Sequence, residues 1–287
     1  VTFLILVSLL WALSFGLVAQ VSALGAPFVA AVRTVLAALV FLPLLRPRGL
    51  RGRDLGALAA IGALQFGLMY VLYIHAFHWL RASEAALFTV FTPLFVTLAG
   101  GLLERRLRPA FLGTAALAVL GTGICVWTGL GRPGLLTGFL FMQLSNLCFA
   151  CGQVLYRRLA PRLGRPDHEL MGVLYVGAAL VTVALAAPGL SWAGLGRITP
   201  AQAAVLVYLG VVASGLGFLL FNAGARRSDL GTLAIFNNAK VPLAILASAL
   251  VFGEKVDWLR LGAGGLVLAA ALALNEAALR RATAGRA

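Results

Sequence analysis

The sequence predicts an all-α membrane protein of ten transmembrane helices, built from two inverted five-helix repeats. Three observations carry this. Of 287 residues, 61% are hydrophobic and 11% charged, with mean hydropathy +0.99, whereas a soluble domain keeps about a quarter of its residues charged. Apolar stretches recur at roughly 20 residues, the length a helix needs to cross a hydrocarbon core of about 30 Å. The second half of the chain also echoes the first at a nearly fixed offset.

The spans follow in order. Span 1 (2–20) carries no charge; it has no basic leader and no small-residue cleavage site, so it reads as a span rather than a signal peptide. Span 2 (27–45) opens at Pro27 and is closed by "RPRGLRGRD" (46–54). Span 3 (55–74) runs into His75 and His78, which read as interfacial, and span 4 (82–103) contains Pro93 and ends before Glu104. Span 5 (110–128) is rich in glycine. Span 6 (135–156) runs from the turn-forming "GRPG" (131–134) to "RRLAPRLGRPDHE" (157–169), and span 7 (170–187) follows that loop. Spans 8 (202–222), 9 (230–252) and 10 (259–277) complete the set. Glycines such as Gly100, Gly121, Gly215 and Gly217 suit close helix packing.

Charge sets the expected orientation. With the N-terminus in the cytoplasm, inner loops and tail hold 16 Lys and Arg residues and outer loops 5. That is the positive-inside bias, and it puts both termini in the cytoplasm of a bacterial inner membrane. Trp79, Trp127, Trp192 and Trp258 fall at the outer boundary, where amphipathic rings anchor. The net charge of +14 is thus a topology signal, and no nucleic-acid partner is expected. Membrane lipid is. Cys125, Cys148 and Cys151 lie within spans without metal-ligand spacing and read as small buried thiols, so no metal and no cofactor is expected.

The repeat is legible residue by residue. "GALQFGLMYVLYIHAFHWLRAS" (62–83) lies over "GVVASGLGFLLFNAGARRSDLG" (210–231), matching Gly62 with Gly210 and Gly67 with Gly215. Tyr70 meets Phe218 and Tyr73 meets Phe221. Pro93 answers Pro242, Glu104 answers Glu254, and "WA" (11–12) answers "FA" (149–150). The expected division is a first repeat at 1–128, a linker at 129–133, a second repeat at 134–279 and a basic tail at 280–287. Five spans per repeat is odd, so the second copy enters the membrane from the opposite side, as in many secondary transporters.

These motifs resemble the EamA-type members of the drug/metabolite transporter superfamily. The carriers are "LLWALSFG" (9–16), the arginine in "PFVAAVRTVLAAL" (27–39), and the proline and terminal glutamate of "FTPLFVTLAGGLLE" (91–104), which recur in "KVPLAILASALVFGE" (240–254). The resemblance implies export of amino acids, other small metabolites or drugs. The distant small multidrug relatives carry a glutamate in their first span for binding cations; span 1 here has no acid.

The candidate substrate-binding residue is Lys240, the eleventh residue of the apolar run Leu230–Phe252. Half a hydrocarbon core is about 15 Å and a lysine stem reaches roughly 6 Å, so snorkelling cannot bring the ammonium to water. Intramembrane ionisable groups face the bundle interior or a wet cavity. Each acid of the chain lies near a span end or in a loop, so no protein counter-ion is expected. In a chain with 21 arginines and two lysines, lysine is also the choice that can release its proton. Asn237 shares its helical face, and Asn238 lies beside the backbone that Pro242 frees. Trp11, Gln65, Tyr70, Tyr73, Asn146 and Asn222 are the mid-depth polar and aromatic residues expected to line a central cavity with Gln153; each equally suits a helix–helix hydrogen bond. Arg33 is expected to snorkel outward in a structural role.

The expected function is alternating-access export of a small polar metabolite, an amino acid or small carboxylate, through that cavity, with proton linkage through Lys240. The alternative on the same fold is export of aromatic or cationic drugs, which the lack of a deep acid disfavours. A membrane enzyme would need a nucleophile with a base or paired carboxylates, and neither is present. The partners expected are a small-molecule substrate and protons, in a monomer or homodimer.

Overall fold

The computed structural model describes residues 2–46, 49–103, 133–189, 196, 198–225, 230–256 and scattered positions of 258–277. At 97, 222–225 and 230–239 it describes the backbone alone. Every regular element among the described residues is helical. Seven helices are long and apolar enough to cross a membrane: α1 (Thr2–Leu24), α2 (Ala26–Leu44), α3 (Gly52–Ala76), α4 (Ala82–Leu103), α5 (Leu135–Leu163), α6 (Asp167–Gly189) and α7 (Pro200–Phe221). An eighth, α8 (Leu230–Leu250), is the helix that carries Lys240. These correspond to spans 1–4 and 6–9. Span 5, Glu104 and most of span 10 lie outside the described residues.

The helix pairs follow a pattern. α2 packs on α6 and α4 on α8; α1 packs on α7 and α8, while α5 packs on α3 and α4. Finally, α3 packs on α6 as α7 packs on α2. Exchange each span of one half for its expected counterpart in the other, and these pairs map onto one another; α2 on α3 and α1 on α4 pack as well, without an equivalent among the described residues.

Two kinds of interruption shape the interior. α3 has a π-helical stretch at Ala63–Leu68, and α7 has one at Tyr208–Leu216. In an α-helix, residues five apart point to different sides; in a π-helix, they are hydrogen-bonding partners on one side. The stretches thereby let Gly62 and Gly67 lie together on α6, and Gly210 and Gly215 together on α2. A Cβ at Gly62 would collide with the backbone of Leu174, and one at Gly67 would come 3.2 Å from the Ala178 carbonyl oxygen. At Gly210 it would meet Leu36 Cβ at 2.6 Å, and at Gly215 Val40 Cγ2 at 3.0 Å. The second kind is a 3₁₀ turn, Thr89–Phe91, ahead of Pro93 in α4. By contrast α8 remains helical through Pro242.

α8 ends in a left-handed turn. Gly253 adopts φ +64°, and the Glu254 N–H bonds back to the Ser248 carbonyl at 2.9 Å. This turn aims Glu254 at the start of α4, where Oε2 accepts the Ser83 N–H at 3.1 Å. Glu84 closes the same terminus by accepting the Arg81 N–H at 3.0 Å. At the far end of α3, Trp79 stacks on Phe141 with centroids 5.5 Å apart, and His75 packs edge-on to the same ring at 4.6 Å. Both histidines thus sit among aromatic rings, His78 lying 5.8 Å from Trp79.

Candidate functional site

An aromatic run crosses the space between α1, α2, α3, α6 and α7. Trp11 meets Phe218 at 5.0 Å and Phe221 at 5.3 Å; Phe218 meets Phe66 edge-on at 5.0 Å. Phe66 stacks on Tyr175 at 4.7 Å and approaches Tyr70 at 6.5 Å. A cation stands at each end of this run. Lys240 Nζ lies 5.3 Å from the Trp11 ring centroid, and the Arg33 guanidinium carbon lies 4.0 Å from that of Tyr70. The ring quadrupole attracts both cations. Lys240 is half-buried, with an indole face among its surroundings.

Much of the polar chemistry here binds the π stretch of α7 to its neighbours. Trp11 Nε1 donates to the Ala213 carbonyl at 2.8 Å, and the Tyr175 hydroxyl donates to the Ser214 carbonyl at 3.1 Å. Arg33 Nε donates to Ser214 Oγ at 2.6 Å, and the Tyr70 hydroxyl lies 3.0 Å from the same oxygen. On the other side of the repeat, Ser145 Oγ donates to the Met69 carbonyl at 3.0 Å, just past the π stretch of α3.

The predicted site residues therefore divide. Lys240, Trp11 and Tyr70 share the aromatic run, though the Trp11 N–H is taken up by Ala213 and only its ring is free to meet a ligand. Gln65 sits on the π stretch of α3, packed against Gly152 and 6% exposed; its Oε1 has no hydrogen-bond partner among the described residues. Tyr73 packs edge-on to Phe15 at 6.0 Å and Phe77 at 5.2 Å. Asn146 is elsewhere. Its amide donates to the Phe88 carbonyl at 2.9 Å and its oxygen accepts from Thr92 Oγ1 at 3.2 Å, bracing the 3₁₀ turn of α4. Asn222, Asn237 and Asn238 have side chains outside the described residues.

Arg33 corrects an expectation. It does not snorkel outward but is 4% exposed and turned into the bundle toward Ser214. Ser214 and Tyr175, both fully buried, were not singled out from the sequence. The signal that could have found the π stretch was the five-residue spacing of glycines in both halves.

Comparison with known proteins agrees with this arrangement. The model of the EamA-like transporter family matches residues 1–127 and 136–275. A biotin transporter of Escherichia coli is 40% identical over 277 residues, covering 94% of this chain and 90% of that protein. A probable biotin transporter of Pseudomonas aeruginosa is 40% identical over 281 residues, covering 96% of each. A solved crystal structure superposes with TM-score 0.64 at 20% identity, over 96% of this chain and 97% of that one, and shares the fold. A multi-pass arrangement of apolar helices with these relatives marks a transporter of a small metabolite, not an enzyme. The chain belongs to the EamA-like transporter family, within the drug/metabolite transporter superfamily.

Proposed function

We propose that this protein carries biotin, or a molecule sharing its carboxylate tail and cyclic urea, across a bacterial inner membrane by alternating access. The observation that carries this is 40% identity to a biotin transporter over 94% of the chain. The chemistry of the aromatic run supports it. Apolar rings suit the fused ring body and alkyl chain of biotin, and a cation suits its carboxylate. The earlier expectation of a small carboxylate thus becomes a particular one, while the relatives lend no weight to an amino acid as cargo.

Lys240 is the principal anion contact in this reading, with Asn237 beside it. Lysine can release its proton in a dry site, so an arriving carboxylate would bring a proton with it and link transport to proton movement. Ten spans in two inverted repeats provide the two alternating faces. The self-consistent exchange of helix pairs and the paired π stretches support that architecture.

Proteoliposomes loaded with unlabelled biotin test the reading. Labelled biotin should accumulate by counterflow, saturably, and excess amino acids or quaternary amines should not compete. Counterflow driven by an amino acid or a quaternary amine, with none by biotin, overturns the assignment. Repeating the assay with an imposed pH gradient, and with label on either side, reads proton linkage and direction.

A further inference from the structure

Arg33 lies in a poor place for a structural cation. It is the eighth residue of α2, about 10 Å along the helix axis from its first residue at 1.5 Å per residue. The side chain is buried, and its neighbours are a neutral hydroxyl and the face of a phenol ring. Nη1 has no hydrogen-bond partner, and no carboxylate pairs with the guanidinium among the described residues. Burying such a charge without an anion is costly. A purely structural role would be filled more cheaply by an apolar residue, as the repeat itself illustrates: Val181 occupies the equivalent position, next to Thr182 as Arg33 is next to Thr34.

A second buried polar group, on the π stretch of α3 and packed against Gly152 of α5, is also unmatched. Gln65 Oε1, adjacent in sequence to the Phe66 that stacks on Tyr175, is an acceptor with no donor among the described residues.

We propose that Arg33 is a second receptor for the carboxylate of the transported molecule, reached when the π stretch of α7 moves away from it. This rests on the reading of the protein as a carrier of a carboxylate such as biotin. Ser214 serves as the stand-in acceptor in the closed arrangement, and Tyr70 holds the guanidinium plane. A carboxylate brings two oxygens to a planar fork of N–H donors, a match that one hydroxyl cannot provide.

The test is binding to the purified full chain of biotin, its neutral primary amide, and valerate. The wild type should bind biotin at least tenfold more tightly than the amide. Arg33→Gln should lose that preference while keeping its affinity for the amide, and Arg33→Lys should keep part of it. Should Arg33→Gln fail to fold, Arg33→Lys decides, because an unchanged preference for acid over amide in either variant overturns the proposal. If the wild type binds valerate but not biotin, the biotin assignment fails alone, and Arg33 is judged by loss of valerate binding in Arg33→Gln. Binding of no carboxylate by the wild type defeats both.

Discussion

Thr34 on α2 and Thr182 on α6 place their hydroxyl oxygens 2.7 Å apart, and 148 residues separate them in the chain. That is the interval that joins Gly62 to Gly210. Each hydroxyl also lies within reach of its own helix, Thr34 Oγ1 at 2.9 Å from the Ala30 carbonyl and Thr182 Oγ1 at 3.0 Å from that of Ala178. Equivalent positions that touch each other mark where a two-fold axis would pass between the halves. With one proton apiece, one threonine bonds its partner while the other bonds its own helix. Coupling between Thr34→Val and Thr182→Val should therefore be about 0.6 kcal/mol, typical of hydrogen bonds between membrane helices. Unfolding of both single variants and the double variant in mixed micelles measures it; zero coupling means the pair contributes nothing to docking.

Glycine positions make a sharper contrast. A methyl at Gly62 strikes the Leu174 backbone, which cannot rotate away, whereas one at Gly100 meets nothing within 4 Å. Gly62→Ala should lower stability by about 1–3 kcal/mol, the usual range for overpacking, and Gly100→Ala should leave it nearly unchanged. Thermal unfolding of the two variants side by side decides the matter.

The contact of Glu254 with Ser83 ties the end of α8 to the start of α4. Glu254→Ala should cost about 1 kcal/mol, in line with removing a helix cap, and Glu254→Gln should recover most of it because the amide oxygen still accepts. Gly253→Ala should do comparable damage through φ +64° alone. If Glu254→Ala and Glu254→Gln unfold at the same temperature as the parent, the tie is not structural.

Lys240 is tested through transport. Lys240→Met should fold and fail to carry substrate, and Lys240→Arg should not rescue it, because the guanidinium retains its proton throughout the cycle. Normal counterflow by Lys240→Met assigns the lysine to packing on Trp11.

Orientation is open to a direct measurement. A single cysteine at position 50, in the loop between α2 and α3, should react with a membrane-impermeant thiol reagent only after the cells are opened. Labelling in intact cells reverses the topology drawn from the arginine distribution.

Much of this architecture could be read from the chain, because membrane helices are set by length and hydropathy and the repeat is written in glycines and prolines. Helices matching eight of the ten predicted spans are described, and α1 to α4 begin and end within a few residues of expectation. The site was less legible, since side-chain direction depends on helical phase. The π stretches change that phase in α3 and α7, so counting along an α-helix misplaces whatever lies beyond them. Arg33 looked able to reach water by distance alone; its neighbour Ser214 is 181 residues away, and no local pattern connects them. Asn146 is a deep amide whose bonds to the Phe88 carbonyl and Thr92, 58 and 54 residues away, no local pattern reveals.

The symmetric pairing of Thr34 with Thr182 contrasts with the two cations of the bundle, Arg33 and Lys240. By the sequence offsets of the repeat, Arg33 is matched by Val181, and Lys240, at the offset that joins Pro93 to Pro242, by Phe91. A carrier whose halves were identical in every side chain would have inward-open and outward-open forms of equal energy, related by simple relabelling. Here one half contributes an arginine and the other a lysine, at positions the repeat does not equate. If the protein works by alternating access as proposed, that asymmetry makes its two forms unequal in electrostatic energy even when empty.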